Sequence, residues 1–130
     1  MKMKVGKDFA QSEREDIERL KAIRKAVGDD VAWFEEPVLA DDIPGLAQIA
    51  QATTIPVATG EHEYTKYGFR DLLTAGVADI VQPDIYRVSG ITEWMKVSAM
   101  SDAFNLPVAP HAVSLVSVNC AMATPNIKVV

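Results

Sequence analysis

The sequence predicts an α/β fold, specifically part of a TIM-type (β/α) barrel in which about six parallel strands alternate with helices. Four short apolar runs each end in a polar side chain, and each is followed by a segment of helical pattern. These polar residues are Glu35, Glu61, Asp84 and His111, at successive spacings of 26, 23 and 27 residues. One strand plus one helix fits that period. Because parallel strands end at the same rim, we expect the four side chains to converge there.

Length and composition limit the possible functions. The chain has 130 residues, 48% hydrophobic and 24% charged, which is typical of one soluble globular domain covering 1–130. A complete eight-stranded barrel needs about 250 residues, so we expect a single truncated barrel domain. The net charge of −5, with no basic stripe, argues against nucleic acid as a partner. A metal ion is more compatible with this charge.

The cysteine content and the hydropathy pattern predict a cytoplasmic protein. Cys120 is the single cysteine, so no intrachain disulfide is expected, and this suits a reducing compartment. We predict that Cys120 is a small core residue. No signal-peptide apolar region and no uncharged run long enough to cross a bilayer are visible, so no membrane partner is expected.

The first strand and the first helix follow from local patterns. Residues 1–5 alternate apolar residues with lysine, so a strand would send Lys2 and Lys4 to the same side. Taken alone, this pattern also fits a terminal strand with two solvated lysines. Residues 12–15 form a capping box that begins the first helix, and Gly28 ends that helix.

Four more helices are predicted along the chain. Asp41 or Asp42 is expected to cap the second, and Thr65 the third. The fourth runs over 90–104, and the fifth, 112–123, is almost free of charge, as a helix packed against a sheet or an interface would be. The fourth is predicted to bury four apolar residues: Ile91, Trp94, Met95 and Phe104.

Six motifs, in the order in which they occur, resemble the catalytic barrel of the enolase superfamily, and within it the mandelate racemase and muconate lactonizing enzyme family. They are Lys2-Met3-Lys4, Trp33-Phe34-Glu35-Glu36-Pro37, Gly60-Glu61, Gln82-Pro83-Asp84, Gly90-Ile91-Thr92 and Pro110-His111. The segment 61–70, which contains Glu61-His62-Glu63-Tyr64, is similar to acid-sugar dehydratases of the rhamnonate dehydratase type.

The resemblance implies a metal site and two acid/base groups. Glu35 and Glu61 would be ligands of Mg²⁺. His111 would be a general acid/base whose imidazole is oriented by Asp84, and Lys4 the acid/base on the opposite face. Physical chemistry agrees, because removing a proton next to a carboxylate gives a dianionic enediolate that a hard divalent cation stabilises.

The implied reaction is a hydro-lyase reaction on a sugar acid, giving a 2-keto-3-deoxy acid. Lys2 and His62 would contact the substrate, although His62 is equally compatible with a role behind the residues that touch substrate. Two alternatives stay open. One is a racemase or epimerase of a 2-hydroxy acid, and the other is a non-catalytic barrel fragment or pseudoenzyme that is stable only as a homo-oligomer.

The sequence departs from the family pattern at several points. The third metal ligand of the family is an aspartate between the first helix and the Glu-Glu-Pro strand, but here the chain passes directly from Asp29 and Asp30 to Trp33. About one βα unit is therefore expected to be missing, and neither aspartate is assigned as a ligand. A capping domain and the final strand are also expected to be absent. Ser89 replaces a glycine and would be strained if its φ is positive.

Overall fold

The computed structural model describes residues 13–28 and 31–129. Lys2 and Lys4, with the strand predicted to carry them, lie outside the described residues. The same holds for Ser12 of the predicted capping box and for Asp29 and Asp30.

Helices and short strands alternate along the described chain. The helices are α1 (Glu13–Val27), α2 (Ile43–Ala52), α3 (Thr65–Ala75), α4 (Ile91–Ala103) and α5 (Leu115–Met122). The strands are β1 (Phe34–Glu35), β2 (Val57–Thr59) and β3 (Ile80–Val81). This order confirms the predicted α/β class.

The strands form one parallel sheet in the order β1-β2-β3. Parallel bridges extend it beyond β3, from Val81 to Val108 and from Val108 to Ile127. The bridge at Ile127 corrects the prediction that no strand follows the fifth helix. This strand position was missed because the segment after Pro125 is short and does not end in a polar residue before Val130.

The sheet is buried on both faces, as in barrels whose helices cover the outside. Ala58 and Ile80 are register partners, and with Ala109 they form a small buried cluster against which Trp33 packs. The main core lies between the sheet and the helices. It includes Phe34, Leu46, Ile49, Phe69, Leu72, Val81, Trp94, Val97, Val108 and Cys120. The predicted core position of Cys120 is therefore confirmed.

Helix ends mostly follow the predicted signals. The Asp42 side chain caps α2 by accepting a hydrogen bond of 3.0 Å from the Gly45 amide. Gly28 follows α1 with φ +63. In the third helix the N-cap position falls on Tyr64, which makes no side-chain hydrogen bond there. The helix range begins at Thr65, but this residue has the non-helical φ of +56, and its hydroxyl accepts a hydrogen bond from the Tyr67 amide at 3.4 Å, as predicted for a capping threonine.

The buried face of α4 differs from the prediction. Trp94 is buried, but Ile91 is 58% exposed and Phe104, just past the helix, is 48% exposed. The buried face instead continues through Val97, Ser98 and Ser101. Serine is tolerated there because its hydroxyl is satisfied, as where Ser101 donates to the Val97 carbonyl at 2.9 Å. Hydrophobicity alone could not identify this face.

The fifth helix begins later than predicted. Ser114 is its N-cap residue, and its hydroxyl accepts a hydrogen bond from the Ser117 amide at 3.1 Å. The Ser117 hydroxyl in turn accepts from the Ser114 amide at 2.7 Å, which completes a capping box. Residues 112–114 therefore lead from the sheet rim into α5 rather than forming its first turn.

Candidate metal and acid/base site

The four polar residues predicted to converge do meet at the carboxyl ends of the strands. Glu35 ends β1, Glu61 follows β2, Asp84 follows β3, and Asp84 and His111 form a parallel bridge. Glu35, Glu61 and His111 each offer a ligand atom within 4.8 Å of the others. These side chains share one rim because backbone hydrogen bonds continue the ladder past the ends of the strands, as in His111 N–H to the Pro83 carbonyl at 3.1 Å.

His111 and Asp84 form a hydrogen-bonded dyad. The His111 Nδ1 atom lies 2.9 Å from Asp84 Oδ2, while Asp84 Oδ1 accepts from the amides of Tyr86 at 2.8 Å and Arg87 at 3.2 Å. Burial by itself would raise the pKa of Asp84, but the hydrogen bonds from His111, Tyr86 and Arg87 together lower it. An ionised Asp84 favours the tautomer with the proton on Nδ1, so that Nε2 of the neutral ring can exchange a proton.

Glu61 lies on the other side of the histidine ring. Its Oε2 atom is 3.2 Å from His111 Nε2, yet this buried oxygen has no partner in hydrogen-bond geometry. Burial raises the pKa of Glu61; His111 opposes the increase, and the negative charges of Glu36 and Glu35 add to it. A positive charge placed between these carboxylates would reduce their mutual repulsion and would give the unsatisfied oxygen of Glu61 a partner.

Gln82 adds a second unsatisfied oxygen at the same place. Its side chain is 3% exposed, its Nε2 atom donates to Glu35 Oε2 at 3.5 Å, and its Oε1 atom is buried without a partner. Within the described ranges, Glu61 Oε2 and Gln82 Oε1 are the two buried side-chain oxygens without a hydrogen bond. Carboxylate and amide oxygens are donors that Mg²⁺ and Ca²⁺ prefer, so the residues present fit a hard divalent cation.

Glu36 and His62 extend the site on the side of β1. Glu36 Oε2 is 2.6 Å from His62 Nδ1, and Glu36 Oε1 accepts from the Thr59 hydroxyl at 3.3 Å and the Gly60 amide at 3.4 Å. Glu36, Glu61 and His62 also have ligand atoms within 4.8 Å of one another. Sequence reasoning assigned no role to Glu36, although the doubled carboxylate before Pro37 was a visible signal. His62 lies beside the rim with its side chain 47% exposed.

The chain matches a known protein family, and its sequence is similar to those of known dehydratases. Residues 29–130 match the family model described as enolase C-terminal domain-like. The chain is 39% identical over 114 residues to an L-rhamnonate dehydratase of Saccharopolyspora erythraea, which covers 85% of this chain and 29% of that protein. It is 33% identical over 138 residues to an arabinonate dehydratase of Saccharolobus solfataricus, covering 85% of this chain and 36% of the relative.

Solved structures give the same relationship. An enolase from Bradyrhizobium, in complex with magnesium and mandelic acid, matches with a TM-score of 0.85 and 28% identity, covering 95% of this chain and 33% of the other. A mandelate racemase/muconate lactonizing enzyme from Sulfitobacter matches with a TM-score of 0.84 and 33% identity, covering 98% and 33%. The chain thus spans about a third of the length of these relatives. None of the helices in 13–28 and 31–129 is long and apolar enough to cross a membrane.

Proposed function

Since this chain belongs to the enolase C-terminal domain-like family, we propose that it carries the metal-binding and acid/base rim of a Mg²⁺-dependent sugar-acid dehydratase. One observation supports this proposal most strongly. The His111–Asp84 dyad faces Glu61, and Glu35, Glu61 and His111 each offer a ligand atom within 4.8 Å of the others. The dehydratases among the relatives support sugar acids as the substrate class.

Glu35 and Glu61 would hold the cation, supported by the unsatisfied oxygens of Glu61 and Gln82. When bound, Mg²⁺ would supply the positive charge that stabilises the dianion created by removing a proton next to a carboxylate. Asp84 at 2.9 Å from Nδ1 and Glu61 at 3.2 Å from Nε2 place a carboxylate at each ring nitrogen of His111.

The loss of one βα unit is proposed to account for the short chain between α1 and β1. The alignment with the arabinonate dehydratase supports this. The alignment with the L-rhamnonate dehydratase leaves only about four positions for gaps over the same share of this chain, whereas the arabinonate dehydratase alignment extends over 138 positions and includes 85% of 130 residues, about 110, so it leaves about 28. One strand plus one helix has that length. The protein would then rely on fewer aspartate and glutamate ligands than the rest of its family.

In the proposed reaction His111 gives its Nε2 proton to the departing β-hydroxyl. The Cα–H bond breaks as its proton passes to a base, the Cβ–O bond breaks as water leaves, and the resulting enol becomes a 2-keto-3-deoxy acid. Asp84 holds the ring in the orientation that this transfer requires. Lys4, proposed as the base, and Lys2, proposed to contact the substrate, lie outside the described residues; His62 is proposed to contact substrate hydroxyls.

Incubation of the purified chain with Mg²⁺ and a panel of sugar acids in D₂O tests this function. The proposal predicts accumulation of a 2-keto-3-deoxy acid from at least one substrate, followed by ¹H NMR. His111→Asn should reduce the product rate at least about a hundredfold, because it removes the proton donor. Absence of product from the entire panel, with the chain folded and metal bound, would contradict dehydratase activity of this chain.

A racemase or epimerase of a 2-hydroxy acid is the second candidate. A racemase from Streptomyces coelicolor with bound magnesium supports it, with a TM-score of 0.76, 28% identity, and coverage of 98% of this chain and 43% of the other. The same experiment separates the two reactions. Exchange of the α proton for deuterium without loss of water indicates a racemase, whereas loss of the β-hydroxyl indicates a dehydratase.

A further inference from the structure

We propose that Glu36 is a positioning residue that holds Glu61 in its place at the cation site. This inference rests on the proposed function, because it takes Glu61 as a metal ligand. Glu36 acts through the backbone and side chains on both sides of Glu61 rather than through a bond to the ion.

The contacts of Glu36 bracket Glu61 along the chain. On the preceding side, Oε1 accepts from the Thr59 hydroxyl at 3.3 Å and from the Gly60 amide at 3.4 Å. On the following side, Oε2 lies 2.6 Å from His62 Nδ1. The side chain of Glu36 is 12% exposed, so these contacts are largely shielded from water. The side chain of Glu36 therefore restrains the residues immediately before and after the proposed ligand Glu61.

This restraint is needed because Gly60 precedes Glu61. Gly60 has φ +125, and a Cβ atom there would lie 2.6 Å from the Phe69 ring and 3.3 Å from the Gln82 carbonyl oxygen. Close packing therefore requires glycine, the residue with the greatest backbone freedom. Since Glu61 Oε2 makes no hydrogen bond of its own, the backbone around Glu61 contributes, beside the contact with His111, to where this oxygen lies.

The backbone of Glu36 is shaped for this role. Its amide donates to the Ala58 carbonyl at 3.0 Å, which continues the β1–β2 ladder by one residue. Its φ is +41, a left-handed value that costs a residue with a Cβ roughly 1–2 kcal/mol. A strained conformation of this kind is retained when the surrounding structure needs the side chain it delivers, here beside the end of β2.

Glu36 as a direct ligand is the competing assignment, since Glu36, Glu61 and His62 also cluster within 4.8 Å. Both oxygens of Glu36 are already engaged by Thr59, Gly60 and His62. Glu61 Oε2, in contrast, accepts no hydrogen bond. The contact pattern therefore assigns coordination to Glu61 and support to Glu36.

Two substitutions of Glu36 separate the two assignments. Glu36→Ala should weaken Mg²⁺ binding, measured by calorimetry on the whole chain, by roughly 10–100-fold, the usual effect of losing a partner behind a ligand. Glu36→Gln should stay within about threefold of wild type, because its amide oxygen still accepts from Gly60 and Thr59 and its amino group can donate to a neutral His62. An equal loss in both variants would overturn the positioning role, since a ligand needs the carboxylate charge.

Glu63→Ala is the matched control, because it removes a negative charge two residues from Glu61 without removing any of the contacts of Glu36. Glu63→Ala should bind Mg²⁺ like wild type. A loss of affinity equal to that of Glu36→Ala would show that Mg²⁺ binding depends on the total negative charge near the site, and it would overturn the positioning role.

A second readout needs no metal. In metal-free protein, Glu36→Ala should speed hydrogen exchange of the Gly60 amide at least about tenfold while amides of α4 are unchanged.

If wild type binds no Mg²⁺, the proposed function fails. Hydrogen exchange of the Gly60 amide in metal-free protein still tests whether Glu36 restrains the chain around Glu61. Unchanged exchange at Gly60 would overturn the role of Glu36 itself.

Discussion

Two residues with a strained backbone directly follow site residues at the rim. Within 13–28 and 31–129, five residues other than glycine have positive φ: Glu36, Thr65, Ser89, Asn105 and Ala112. Glu36 and Ala112 directly follow the site residues Glu35 and His111, and strained backbone of this kind tends to cluster at functional sites. Ser89, with φ +78, is exposed and precedes Gly90, the N-cap residue of α4.

Ser89→Gly is expected to stabilise the fold. A Cβ atom at positive φ costs roughly 1–2 kcal/mol, and part of this gain is offset by the greater freedom of glycine in the unfolded chain, so a net rise of about 0.5–1 kcal/mol is predicted. Urea denaturation measures the free energy of unfolding. Gly76→Ala is the opposite control, because Gly76 has φ +65 and an added Cβ atom would have nothing within 4 Å, so the strain alone should cost about 1 kcal/mol. A lower stability of Ser89→Gly would contradict this account.

Between elements, Glu93 connects the N-terminal ends of α3 and α4. It lies in the first turn of α4, and its Oε2 accepts from the Lys66 amide of α3 at 3.1 Å. Its Oε1 accepts from Lys96 Nζ. Because the N-cap residue Tyr64 offers no side-chain hydrogen bond, Glu93 supplies from another helix the anionic acceptor that the start of α3 lacks.

Glu93→Gln should reduce stability in a way that depends on pH. The hydrogen bond from Lys96, followed by that from the Lys66 amide, lowers the pKa of Glu93 from 4.5 to about 2. A carboxylate with a lowered pKa stabilises the fold above its unfolded value, and this contribution is lost as pH falls through the folded value. The difference between wild type and Glu93→Gln should therefore be fully present at pH 6 and shrink between pH 4.5 and about 2.

Urea denaturation at several pH values checks this prediction. Glu18→Gln, which breaks the exposed ion pair with Lys21, should change the free energy of unfolding by less than about 0.5 kcal/mol. A difference between wild type and Glu93→Gln that is as large at pH 2 as at pH 6 would show that Glu93 does not act through its charge.

At the scale of the whole molecule, the rim is where the fold concentrates unsatisfied and like-charged groups. Burial raises the pKa of Glu61; His111 opposes this rise, and the negative charges of Glu36 and Glu35 add to it. The two buried oxygens without partners, in Glu61 and Gln82, lie at the same rim. The core below is built mostly from buried apolar side chains, and the unpartnered oxygens at the rim are the feature that the proposed cation site would explain.

The sequence predicts the parts of this arrangement that depend on period and strand direction. The spacing of Glu35, Glu61, Asp84 and His111 was sufficient to expect their convergence, because parallel strands deliver their ends to one rim. It did not reveal Glu36, whose role depends on hydrogen bonds to residues 23 to 26 positions away. The buried face of α4 and the bridge at Ile127 were missed for the same reason, since packing between distant segments decides both.

The most direct measurement is calorimetric titration of the purified chain with Mg²⁺, comparing wild type with Glu35→Gln/Glu61→Gln. Glu18→Gln/Asp102→Asn, which removes the same two charges from exposed positions on α1 and α4, is the matched control. We predict binding at one site that the first double substitution abolishes and the second leaves unchanged. Wild type and Glu35→Gln/Glu61→Gln that take up Mg²⁺ equally, or not at all, would contradict a metal site at this rim.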